Sequence, residues 1–229
     1  MIKRMGFVKR KPGMTLEAFH DHWLNVHAPL AAKAPGLRRY IVSTLLLPPG
    51  IDYTPAYDGF AEFWYDDLAA LETAEASPEW AATRADSPNF IGEVAALFTH
   101  EVPIIEDGKS AREREGWVKY SSLLTRKRGT MPEAMQAHWR DVHGPLVAEE
   151  FTSMDRYIQC HPLLETYDTP RHPAYDGCAL VWFSSIEALP LPLLGRKPDD
   201  EPTAAGSDSA QTFELPHRVM LSREHVIVG

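Results

Sequence analysis

The chain has 229 residues, of which 44% are hydrophobic and 24% charged, and a formal net charge of −9. That composition belongs to an ordinary globular protein with enough apolar material for a core, and without a basic stripe it argues against a nucleic-acid partner. No apolar run approaches the ~20 residues of a membrane span, the first ten residues have no signal-peptide core, and two cysteines, Cys160 and Cys178, build neither a disulfide framework nor a metal cluster. A reduced, cytoplasmic protein is the expectation.

In chain order, Ile2 to Lys9 reads as an opening strand. Lys11-Pro12-Gly13 is a turn, and a helix begins near Thr15. Its apolar positions Phe19, Trp23, Val26 and Leu30 recur at helical spacing, so this stripe is expected to face a sheet. Pro29 removes a helix hydrogen bond and crowds the carbonyl of Asn25, which predicts a kink or an end beside His27. Arg39 to Val42 is a strand, and Tyr57-Asp58-Gly59 turns into another at Phe60 to Trp64. Asp67 to Ala76 reads as a helix and Val94 to Val102 as a last strand. Ile104 to Glu115, with its charge cluster, is the seam.

The chain then repeats itself. His22-Trp23-Leu24-Asn25-Val26-His27-Ala28-Pro29-Leu30 returns as His138-Trp139-Arg140-Asp141-Val142-His143-Gly144-Pro145-Leu146, and Pro55-Ala56-Tyr57-Asp58-Gly59 returns unchanged as Pro173-Ala174-Tyr175-Asp176-Gly177. Two copies in the same order mean an internal duplication, with units at residues 1–107 and 108–229. In the second copy Thr130 and Glu133 read as a capping box, and Met135, Trp139, Val142 and Leu146 form the stripe. Arg156 to Gln159, Cys178 to Trp182 and Val219 to Val228 are strands. The second copy departs at its second helix. Leu189-Pro190-Leu191-Pro192 cannot continue a regular helix, and Asp199 to Ser209 reads as a polar loop. The halves are therefore not expected to be functionally equivalent.

Strand, helix, strand, strand, helix, strand is the ferredoxin-like βαββαβ order, an α+β fold with helices on one sheet face. The other face, bearing Trp64, needs a cover. Two such units fused as one pseudo-dimeric α+β barrel provide it, burying area worth tens of kcal/mol gross at roughly 25 cal/mol per Å².

His27 and His143 lie at one edge of the apolar stripe, and His22 and His138 at the other. Such edges look along the seam between helix and sheet, where an imidazole can exchange protons with a bound substrate. The interrupted helix end is expected to favour the protonated ring. Equally, these histidines can bond a freed carbonyl and lock the kink. His20 aligns with Gln136 and reads as solvated. Tyr40 and Tyr157 can donate a phenolic hydrogen bond or simply pack, and Trp23 and Trp139 read as core or as walls for a flat ligand. Asp58 and Asp176 form turns, or Asp58 orients a nearby histidine as in a catalytic triad. Arg38 and Arg39 read as solvated cations. Nucleotide-binding, nucleophile-elbow and helical metal motifs are absent.

The opening strand, the Thr-x-x-Glu-type helix start, His-Trp-x-x-Val-His-x-Pro-Leu and the following Tyr-Ile strand resemble the EthD family of the dimeric α+β barrel superfamily. The resemblance covers residues 1–105 and 116–228. Because family members are usually single units that pair as homodimers, it implies a fused dimer. Relatives include lactone isomerases, polyketide decarboxylases and dehydratases, and accessory proteins of ether degradation, while haem-dependent enzymes occur in the wider superfamily, where His27 or His143 would be the proximal ligand. The leading expectation is a cofactor-independent lyase or isomerase acting on a small apolar or aromatic oxygenated compound. His27 would be its general acid/base, with His22 and Tyr40 orienting substrate and His143, His138 and Tyr157 as their counterparts in the second half; Trp23, Trp139, Asp58 and Asp176 would also bind substrate. No metal, no cofactor, no nucleic acid and no membrane are expected, and two fused chains could pair as a homodimer. The rival expectation is an accessory protein that binds a hydrophobic metabolite or supports an oxygenase.

Overall fold

The computed structural model describes residues 1–194 and 203–229. Eight strands carry it: β1 (Ile2–Arg10), β2 (Arg39–Leu45), β3 (Gly59–Tyr65), β4 (Ile91–Ile105), β5 (Val118–Leu124), β6 (Arg156–Pro162), β7 (Gly177–Phe183) and β8 (Arg218–Val228). They close into one barrel in the order β1-β3-β2-β8-β5-β7-β6-β4. Each half contributes a ferredoxin-like sheet, and its last strand pairs across to the other half: β4 with β6, β8 with β2, all antiparallel. Closure removes every sheet edge. The two Tyr-Asp-Gly turns meet inside, Tyr57 and Tyr175 sharing a hydrogen bond of 2.8 Å.

Strand alternation divides the core in three. One face of each strand fills the barrel lumen with Met5, Phe7, Phe60, Leu180, Trp182 and Met220, and the other packs under the helices of its own half. The lumen also holds charge. Lys3, Lys119 and Glu62 are each at most 1% exposed. Lys3 Nζ lies 3.0 Å from Glu62 and 2.8 Å from Glu101, and Lys119 Nζ bonds Glu62 and, at 2.7 Å, Glu224. Buried ions persist only when paired. Burial pushes the Glu62 carboxyl up, but the two ammonium groups outweigh it and hold it below the usual range.

The first helix departs from expectation at its proline. α1 (Leu16–His22) is capped by Thr15, whose side chain accepts from the Ala18 N–H. Rather than kinking or ending, the helix widens into a π turn over Trp23–His27, where the Ala28 N–H reaches back five residues to Trp23, and resumes as α2 (Ala28–Ala31). The second half repeats this as α5 (Pro132–His138), a π turn over Trp139–His143 and α6 (Gly144–Glu150). The extra residue in the turn rotates the succeeding helical segment by about 100°. Val26 and Val142 consequently leave the buried stripe and are 44% and 42% exposed, while His27 and His143 turn inward to 7% and 8%.

Other expectations are corrected by local geometry. α5 starts one residue later than the capping box requires, with Met131 as N-cap and no side-chain bond, and the Thr130 carbonyl accepts from Arg126 Nε at 2.8 Å. The first half has two helices after β3: α3 (Leu68–Glu75), capped by Asp67, and an unanticipated α4 (Pro78–Asp86), capped by Ser77. In the second half, Leu191–Leu194 form a 3-10 turn and α7 (Ala204–Thr212), capped by Thr203, replaces most of the expected loop. The part of that loop from 199 to 202 lies outside the described residues. His20 is half-buried rather than solvated, with Nε2 buried and unpartnered.

Candidate active site

Each π turn presents a histidine pair to one carboxylate. His143 Nδ1 lies 2.8 Å from Asp208 Oδ2, and His138 Nε2 lies 2.8 Å from Oδ1 of the same group. In the first half His27 Nδ1 is 2.9 Å from Asp86 Oδ2 and His22 Nε2 is 3.1 Å from Oδ1. Histidines five apart are splayed on an α-helix; the wider π turn brings them to one face. Phe90 and Phe213 pack against the rings, at 4.6 Å from His27 and 5.3 Å from His143.

Sequence reasoning missed Asp86 and Asp208. The signal was a third, looser repeat, Asp86-Ser87-Pro88-Asn89-Phe90 against Asp208-Ser209-Ala210-Gln211-Thr212-Phe213, obscured by a one-residue insertion. Asp58 does not have the orienting place foreseen for it. Asp58 accepts from the Arg10 backbone N–H at 2.8 Å and pairs with its guanidinium, and Asp176 does the same with Arg126, so they clamp the ends of β1 and β5. The glycines beside them are set by packing: a Cβ on Gly177 would lie 2.5 Å from the Trp139 ring, and one on Gly59 2.8 Å from Trp23.

The Trp139 carbonyl, which takes the Gly144 N–H of the second π turn, has no histidine as its further donor. Gln159 Nε2 donates to Trp139 O at 2.8 Å, which leaves the His143 ring to Asp208. Burial pushes the His143 and His27 imidazoles down, and their aspartates only partly offset it. The rings are therefore neutral near pH 7, not protonated as the helix-end argument suggested. With Nδ1–H donated to the carboxylate, Nε2 keeps its lone pair and can act as a base.

The halves differ in what lies beside this triad. In the second half His143, Trp139 and Tyr157 line a cavity of about 560 Å³, together with Tyr120, Val181, Phe151 and Ala205. In the first half the corresponding space is filled. Phe63 stands where Val181 does, stacking on Tyr40 at 4.3 Å, and Trp80 from α4 meets Phe63 edge-on at 5.6 Å. Arg4 lies 5.1 Å over Trp80, and its counterpart is Tyr120. Trp23 and Tyr40 are thus core residues of a packed half. Tyr157 faces the cavity, and its hydroxyl oxygen accepts from Trp139 Nε1 and Gln159 Nε2, each at 3.3 Å. Its own proton is left to donate, and burial keeps it bound by pushing the phenol up to about 12. His161 stacks on Trp139 at 4.6 Å as a further layer.

Among the described residues, no group of three or more His, Cys, Asp or Glu side chains is arranged to hold a metal ion. The described wall of the cavity beside His143 includes Glu150 and no lysine or arginine, so it offers the propionates of a haem no cation. The described wall does not suit that group. No helix among the described residues is long and apolar enough to cross a membrane.

A closed barrel made of two ferredoxin-like sheets, each roofed by an interrupted helix with a histidine pair on a carboxylate, defines a pseudo-dimeric α+β barrel protein within one chain. The EthD domain matches residues 11–93 and 127–190, and the chain belongs to the EthD family. An EthD family protein from Bacillus halodurans C-125 is 28% identical over 44% of this chain and all of its own, with a TM-score of 0.39. An anthrone oxidase-like protein matches 99% of the chain and 92% of its own length at 10% identity and a TM-score of 0.66. A monooxygenase-type protein from Fusobacterium nucleatum matches 99% and 92% at 10% identity and a TM-score of 0.52. The last two likenesses are of fold alone. No curated protein matches the chain.

Proposed function

We propose that this protein is a cofactor-independent enzyme that moves a proton on a small, largely apolar, oxygenated ring compound held in the second-half cavity. Isomerisation, cyclisation, dehydration and decarboxylation all draw on that step. The observation that carries the reading is the neutral His143, aligned by Asp208, on the wall of a mostly apolar cavity of about 560 Å³, a volume suited to such ligands. His143 Nε2 takes a proton from carbon beside a ring carbonyl, and the electron pair moves onto the carbonyl oxygen. The Tyr157 hydroxyl donates to that oxygen as charge develops. Asp208 stabilises the imidazolium, which returns the proton to carbon at a new position. Trp139 gives the ring a flat face, and His138 shares the carboxylate. The active histidine is thus His143 rather than His27, in whose half Phe63, Trp80 and Arg4 pack together on the matching sheet face.

The test uses 1-tetralone, a two-ring aryl ketone, in deuterated water. Proton NMR should show catalysed loss of its α-hydrogen signals with the native chain and none above background with His143→Ala. Exchange that survives in that variant overturns the assignment. A second reading is favoured by one observation: the same triad stands in the packed first half, where it ties helices together. On that reading the protein is an accessory that stores the compound or supports an oxygenase, and the ketone binds without exchange.

A further inference from the structure

We infer that the same cavity holds a second polar subsite, built by Ser122 and His217, that takes a neutral hydroxyl of the ligand. This rests on reading the cavity as the site of an oxygenated ring compound. Ser122 sits on β5 directly opposite Val219 of β8. His217 lies two residues before Val219, so all three side chains share the sheet face beneath the cavity, and all three line it. Ser122 is 4% exposed and its Oγ has no partner at hydrogen-bond distance, its neighbour, the Tyr120 hydroxyl, donating instead to the Leu193 carbonyl at 3.0 Å; His217 Nδ1 is likewise buried and unpartnered. Two such atoms on one wall are an unmet polar demand that folding alone leaves in place.

The remaining geometry says what would meet it. His217 Nε2 lies 2.7 Å from Ser209 Oγ, which fixes the ring. Whichever of the two carries the shared proton, Nδ1 is left as an open donor or an open acceptor. A hydroxyl, being both, satisfies either case and the Ser122 oxygen as well. An anion is disfavoured, since burial and the neighbouring His143 hold the His217 imidazole down at about 4 and Glu150 shares the wall.

The packed half serves as the internal control. By strand register Gly6 occupies the place of Ser122 and Val94 that of His217, while Ser87, the partner of Ser209, donates to the Thr83 carbonyl at 3.1 Å. The polar pair occurs in the half with the cavity. Phe213 separates it from the base: its ring lies 5.3 Å from His143 and 5.7 Å from His217. A ligand reaching both therefore carries its carbonyl at one end and its hydroxyl across the ring system.

The experiment is calorimetric titration of the full chain with 1-tetralone, its 5-, 6- and 7-hydroxy derivatives and the 6-carboxylic acid. At least one hydroxy isomer should bind about tenfold more tightly than the parent ketone, with no such gain for the acid. Ser122→Ala and His217→Phe should each bring that isomer to within about threefold of the same variant's affinity for 1-tetralone. His143→Ala should keep the hydroxyl preference, so absence of proton exchange would remove the catalytic reading and leave this one standing. No preference for any hydroxy isomer, a preference equalled by the acid, or one that survives both substitutions overturns it.

Discussion

The two halves share a triad but not a chamber. His22, His27 and Asp86 match His138, His143 and Asp208 nearly atom for atom. Yet the first triad backs onto Phe63, Trp80 and Arg4, and the second onto empty space beside Val181 and Ala205. Duplication preserved the positioning device in both copies, while side-chain volume on one sheet face decided which copy has room for a ligand. A histidine aligned by a carboxylate is thus a chemical capacity that needs a cavity to become a site.

The sharpest way to break this contrast is to remove each histidine in turn. His143→Ala should lower catalysed exchange by about 10² to 10⁴-fold, whereas His27→Ala should leave it within a few-fold, both followed by NMR with 1-tetralone. Equal losses would return the active role to the first half or divide it between the two.

Packing supplies the next test. Phe63→Ala empties a filled space and should cost about 3–5 kcal/mol in urea unfolding, while Val181→Ala, beside an existing cavity, should cost only about 1–2 kcal/mol. The reverse exchange, Val181→Phe, should abolish ketone binding with little change in stability. Asp208→Asn tests alignment and should slow exchange about 10 to 100-fold, against no change for Asp86→Asn.

The smallest effect is on pH. His143 is pushed below the ordinary imidazole value of 6.5, so exchange should hold on acidification past 6.5 and fall only at lower pH. Stability has the same sign. His161, pushed down by burial to about 3, refuses in the native state a proton that the unfolded chain accepts below 6.5. Its contribution is fully present above 6.5 and lost as pH falls, by roughly 1.4 kcal/mol per pH unit. By strand register its counterpart is Thr44, so hydrogen exchange should show β6 losing protection before β2. Protection lost equally in both strands would place the acid sensitivity elsewhere.

Much of the scaffold was legible because it depends on pattern. The repeated His-Trp-x-x-Val-His-x-Pro-Leu and Tyr-Asp-Gly blocks disclosed the duplication, and alternating apolar strands with an unpaired Trp64 face called for closure into a barrel. The site was legible in part. His143, Trp139 and Tyr157 stood among the candidates, but Asp208 did not, because seventy residues separate it from His138 and a single insertion blurred its repeat. Ser122 and His217 were invisible in the sequence, since an unmet hydrogen bond shows only once all neighbours are placed.

The sequence by itself determined the βαββαβ order, its repetition and the histidines, because these derive from local periodicity and from residues few enough to count. The tertiary structure decided three things. The π turn exchanged Val142 for His143 on the buried face, since a missing proline N–H can be absorbed by a wider turn as well as by a kink. Asp208 met both histidines through contacts that no spacing encodes. The cavity arose in the half whose repeat is the more eroded, because empty volume is a difference among many packed side chains and no single residue specifies it.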